Sequence, residues 1–62
     1  MRFDKAELNI PGSKDHVHFK DGTSMNIDGT IHDKANGMPK LTNEVAEFLK
    51  DHGWASKLKG NI

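Results

Sequence analysis

Apolar and polar residues alternate with a period of two through HVHFK, where Val17 and Phe19 are flanked by His16, His18 and Lys20. That is the pattern of a strand with one buried face. Two turn cassettes follow, FKDGT and NIDGT, each with an Asp-Gly pair before a threonine, and such pairs are strong hairpin signals. Register decides the loop length. A two-residue Asp21-Gly22 loop would pair Phe19 with Ser24 and set apolar against polar residues along the whole hairpin. A three-residue loop, Lys20-Asp21-Gly22 with the glycine left-handed, pairs Phe19 with Thr23 and Val17 with Met25, so that the faces agree. The same argument at Ile27-Asp28-Gly29 pairs Asn26 with Thr30, Met25 with Ile31 and Ser24 with His32. Residues 15–33 are therefore expected to form a three-stranded antiparallel β-meander.

Residues 34–41 contain Asn36-Gly37 and Pro39 and read as a loop. A helix is expected over 42–54. Thr42 is a good N-cap, Glu44 falls in the first turn where the helix dipole favours it, and Leu41 is placed to staple onto Ala46. Val45, Phe48, Leu49 and His52 recur at helical spacing as one stripe. Gly53 suits the left-handed C′ position, which sets Trp54 at C″ onto Leu49 as a core plug; His52 reads as a capping residue beside it. Residues 55–62 read as a loose tail from which Leu58 and Ile62 could dock. Residues 1–14 admit two readings: a helical turn over FDKAEL capped by Asp4, or a strand over AELNI with Ala6, Leu8 and Ile10 on one face before a Pro11-Gly12 turn. The alternation favours the strand.

The expected fold is thus a single small α+β domain, the meander covered on one face by the C-terminal helix, with an additional N-terminal strand as an option. Its predicted core is Val17, Phe19, Met25 and Ile31 from the sheet and Leu41, Val45, Phe48, Leu49 and Trp54 from the helix unit. One helix covers one face, which leaves His16, His18, Ser24, Asn26 and His32 on the other.

Composition bounds what that face can do. The chain has 62 residues and no cysteine, so disulfide staples are excluded, a cytoplasmic setting is expected, and any site is shallow. No apolar run approaches the ~20 residues that cross a bilayer, and the N-terminus lacks the apolar stretch of a secretory signal; no membrane partner is expected. Nine basic residues balance nine acidic ones, so no global field draws the chain to nucleic acid or anionic lipid. Ser24-x-Asn26-x-Asp28-Gly29 superficially resembles a calcium loop, but its twelfth position is Ala35 where a glutamate is required. There is no phosphate-cradling glycine loop and no nucleophile–base motif. Aromatic residues are too few for a stacking platform.

Three readings of the histidine face compete. In the first, His16-x-His18 and His32 bind a metal. Cross-strand rows of His18-Ser24-His32 and His16-Asn26-Thr30 put His18 and His32 roughly twice the ~4.8 Å strand spacing apart, which argues against one shared ion; no metal or cofactor is therefore expected. In the second, His18 and His32 act as an acid–base pair on a phosphodiester lodged between them, with His16 in reserve. Imidazole suits this work, because its unperturbed pKa of about 6.5 lets it give and take protons near neutrality. Lys20, Ser24, Asn26 and Thr30 would contact the substrate phosphate, and the substrate would be RNA, since the mechanism uses the 2′-hydroxyl. In the third, these are solvated side chains on a strand, and the face docks a protein partner or a second copy of the chain. On residue type alone the third is the simplest.

The string HVHFKDGTSMNIDGTIHD, a Gly/Pro loop and LTNEVAEFLKDHGW resembles the extreme C-terminal segment of bacterial polymorphic toxins, the exchangeable effector ends of Rhs-type and contact-dependent inhibition proteins. The likeness runs from His16 to Trp54. It implies a small toxin-like module, metal-independent in the manner of several such ribonucleases, acting on RNA and neutralised by an immunity-type protein partner.

Overall fold

The computed structural model describes residues 1–62 and contains three short strands, β1 (Arg2–Asp4), β2 (His16–His18) and β3 (Ser24–Asn26), one 3₁₀ turn over Lys34–Asn36, and one helix, α1 (Asn43–Asp51). The strands form an antiparallel sheet in the order β1-β2-β3, and α1 follows it as the only α-helix, giving a small α+β fold.

The meander register is the one the face argument requires. His18 pairs with Ser24, Val17 with Met25 and His16 with Asn26. Both turns are the odd-numbered kind: Phe19 N–H reaches Thr23 O at 2.9 Å and Asn26 N–H reaches Thr30 O at 2.8 Å, with Gly22 at φ 91° and Gly29 at φ 89°, a region that favours glycine. The repeated threonines complete the cassettes. Asp21 Oδ1 accepts from Thr23 N at 3.0 Å and from its hydroxyl at 2.5 Å, and Asp28 Oδ1 accepts from Thr30 N at 3.0 Å and its hydroxyl at 2.6 Å. Each aspartate thereby closes its own loop.

Two expectations about strands are corrected. The third meander strand shrinks to a single bridge, Met25 to Ile31, because Asp33 caps the 3₁₀ turn through its carboxylate and swings the chain away just past His32. The N-terminal strand is Arg2–Asp4, paired with β2 as Arg2 to His18, Phe3 to Val17 and Asp4 to His16; it is not AELNI. There the backbone turns instead, with Ala6 N–H on Asp15 Oδ1 and Glu7 N–H on Ser13 Oγ, both at 2.8 Å, and Leu8 is fully exposed.

The core is Val17, Met25, Leu41, Ala46, Leu49, Trp54 and Leu58, with Phe19, Ile27, Ile31, Val45 and Ala55 packed around it. Thr42 caps α1 by accepting from Val45 N at 3.1 Å. The helix ends as a Schellman motif, Trp54 N–H on Leu49 O at 3.0 Å and Gly53 N–H on Lys50 O at 3.1 Å. Phe48 is a correction: it is 43% exposed, because the helix turns Ala46 and Leu49 to the sheet and leaves Phe48 at the rim against Phe3 and His52. The end of the chain is a second. It is tied down, with Leu58 buried and Asn61 clamped between Pro39 O and Leu41 N.

Candidate functional site: a histidine cluster on the uncovered face

Pleating sends Phe3, Val17, Met25 and Ile31 towards the helix and Asp4, His16, His18, Ser24, Asn26 and His32 to the other side. The structure brings His16, His18 and His32 together there. One ring nitrogen from each lies within 4.8 Å of the others. The His16 and His32 rings stack with centroids 3.7 Å apart and planes at 12°, and His18 meets His16 edge-on at 4.9 Å. The expected separation of two strand spacings is therefore wrong for the ring nitrogens. His16 and His18 stand on one side of β3 and His32 on the other, and the rings lean together over it, with His18 and His32 centroids 5.8 Å apart.

Asp4 completes the cluster, and sequence reasoning missed it. Its Oδ2 lies 3.1 Å from His18 Nε2 and 3.6 Å from His16 Nε2, and Arg2 holds the same oxygen at 3.1 Å. The signal lay in Arg2-Phe3-Asp4, a polar-apolar-polar triplet too short to read as a strand.

Two imidazoles have assigned tautomers. His16 Nδ1 is 3.0 Å from Lys14 O, and a carbonyl only accepts, so that nitrogen carries the hydrogen. His32 Nδ1 is 3.1 Å from Asn26 Oδ1. The amide is oriented by Thr30, whose hydroxyl donates to Asp28 and accepts from Asn26 Nδ2 at 2.9 Å; His32 Nδ1 is hence the donor. Neutral His16 and His32 both present a lone pair on Nε2. Desolvation, and then the neighbouring His16 and His18, push the His32 pKa below its ordinary value, which keeps its lone pair available at neutral pH.

Among the expected phosphate contacts, Asn26 lines the molecule's one pocket, a shallow space of about 530 Å³ that opens on His16 and His32 and is walled by Gly12, Ser13 and Lys14. Ser24 is fully buried, its hydroxyl without a protein partner, in the row between His18 and His32; it is beneath the imidazoles, not open to substrate. Thr30 is exposed but committed to Asp28 and Asn26. Lys20 lies in the turn after β2, outside the pocket wall, so the structure does not bring it to the site. Lys14 takes that place, its ammonium 2.8 Å from Asp28.

No family model, curated protein or solved structure matches this chain. No helix is long and apolar enough to cross a membrane.

Proposed function

We propose that the histidine face is a metal-independent acid–base centre that cleaves RNA, as a toxin-like effector module would. The observation that carries the proposal is the convergence of three imidazoles, two of which, His16 and His32, line the one pocket. The resemblance of residues 16–54 to polymorphic-toxin ends supports RNA as the substrate class.

His32 is the general base. Its Nδ1–H is committed to Asn26, its Nε2 lone pair is free, and its depressed pKa keeps it unprotonated. It takes the proton of the ribose 2′-hydroxyl as the 2′-oxygen attacks phosphorus. His18 is the acid: protonated, it is held by Asp4 at 3.1 Å and delivers its proton to the departing 5′-oxygen as the P–O5′ bond breaks. The products are a 2′,3′-cyclic phosphate and a 5′-hydroxyl. His16 stacks on His32 and braces it, while Asn26 and Lys14 face the phosphate from the pocket wall.

Incubating the purified chain with tRNA in EDTA tests this. Cyclic phosphate ends, absent when the target ribose is 2′-deoxy and reduced at least a hundredfold in His18→Ala and His32→Ala, are expected. Intact RNA, or cleavage that both variants retain, would overturn it.

A further inference from the structure

The same cluster has the donor set and the outer support of a zinc site. We propose that His16, His18, His32 and Asp4 bind one divalent transition-metal ion of the zinc class.

Geometry comes first. Ligands at 2.0–2.1 Å around a tetrahedral ion stand about 3.4 Å from one another. The Asp4 oxygen already lies 3.1 Å and 3.6 Å from the Nε2 atoms of His18 and His16, on either side of that edge length. The three ring nitrogens, within 4.8 Å of one another, need to contract by no more than about 1.5 Å to reach it. Such a movement is a small rotation of side chains that stand on a partly open surface.

Lone-pair direction comes second. His16 donates Nδ1–H to the Lys14 carbonyl, so in its neutral form the Nε2 that faces Asp4 carries a lone pair. An acceptor then looks at a carboxylate oxygen 3.6 Å away, an arrangement that favours a cation between them. His32 likewise donates Nδ1–H to Asn26 and leaves Nε2 bare. Metal-binding histidines characteristically give the other ring N–H to a carbonyl or carboxylate, which fixes the ring and raises its basicity. Lys14 O and Asn26 Oδ1 do that here before any ion arrives.

Donor chemistry comes third. Three imidazoles and one carboxylate suit zinc and its neighbours, whereas magnesium and calcium require oxygen. His52 lies apart from the site, stacked on Phe3 and bonded through Nδ1 to Phe48 O, and serves as an internal control.

The ion and the proposed catalysis draw on the same imidazoles, since zinc takes the His32 lone pair and displaces the proton of His18, so zinc would shut the acid–base centre. Only that inhibition rests on the proposed cleavage; the binding stands without it. The test is calorimetric titration of the full chain with ZnCl₂ at neutral pH, with imidazole ¹⁵N shifts recorded alongside. One ion per chain is expected, with the His16, His18 and His32 nitrogens shifting and the His52 nitrogens still. Affinity should fall at least a hundredfold in His18→Ala and His32→Ala, about tenfold in Asn26→Ala, and not at all in His52→Ala; a tenfold excess of MgCl₂ should not displace zinc. Absence of zinc heat and shifts in the wild type, binding retained in both histidine variants, or displacement by magnesium would overturn the site. If cleavage is never seen but zinc binds in this way, the metal site survives and the nuclease does not.

Discussion

Asp28 sets the tautomer of His32 without touching it. The carboxylate accepts the Thr30 hydroxyl proton at 2.6 Å, Thr30 Oγ1 therefore accepts from Asn26 Nδ2, and Asn26 Oδ1 is turned to receive His32 Nδ1–H. A residue that serves a turn thus reaches the site through two side chains.

Breaking that relay in the middle should be visible in the ring and nowhere else. Thr30→Val removes the hydroxyl at an exposed position, frees the Asn26 amide to flip, and lets His32 populate its other tautomer. Long-range ¹⁵N spectra should show the Nδ1–H form of His32 losing its dominance, while His18 and the backbone remain as they are. An unchanged His32 signal would mean that Asn26 is oriented by something other than Thr30.

The two turn aspartates also make stability depend on acid. Hydrogen bonds from Thr23 lower the pKa of Asp21, and Lys14 with Thr30 lowers that of Asp28 still further. In the unfolded chain both protonate near about 3.9, so below that pH the unfolded state binds more protons than the folded one, and folding weakens. Their contribution is complete above the unfolded value and disappears as pH falls through the folded ones. The urea midpoint should drop between pH 5 and pH 2. Asp28→Asn, which has no carboxylate to protonate, should flatten that drop.

Helix phase gives a sharper contrast between neighbours. Leu49 is completely buried and Phe48 is 43% exposed. Leu49→Ala should cost about 2–5 kcal/mol, enough to unfold most of a chain this small. Phe48→Ala should cost well under half as much. Equal losses, measured by urea denaturation, would mean that Phe48 carries the core after all.

These contrasts show what the sequence alone could carry. Turns and caps are local. Asp21-Gly22, Ile27-Asp28-Gly29, Thr42 and Gly53-Trp54 each specify their geometry within a few residues, and the His16 to Asn26 register followed from matching faces. What depended on distant pairing was missed. Arg2–Asp4 is too short to show a period, yet it supplies Asp4 to the site and Phe3 to the helix side. Phe48 and Ala46 differ by half a helical turn, and only the packed sheet tells which one is covered. Strand spacing sets His18 and His32 two strands apart, whereas their rings lean together across Ser24 to a centroid distance of 5.8 Å.

Asn61 is another case of distant pairing. Its backbone N–H donates to Leu41 O at 2.8 Å and its Oδ1 accepts from Leu41 N at 2.7 Å; its Nδ2 caps Pro39 O. One side chain therefore satisfies backbone groups of a buried segment that has no strand partner. Asn61→Ala leaves them unpaired and should cost about 1–3 kcal/mol. Amide exchange at Leu41 should accelerate with it, and a slow Leu41 amide in the variant would show that the tail is dispensable.

Asp4 separates positioning from folding most cleanly. It stands on an edge strand, half-buried, with its carboxylate on His18 and His16, so Asp4→Asn keeps the shape and removes the charge. If His18 delivers its proton while held by that charge, kcat for RNA cleavage should fall about tenfold or more, with KM and the urea midpoint close to wild type. A purely structural role gives the opposite pattern, a lower midpoint and an unaltered kcat for the molecules that remain folded. The zinc titration of the same variant adds an independent readout: affinity should weaken in Asp4→Asn if the carboxylate is the fourth ligand, whether or not any RNA is cut.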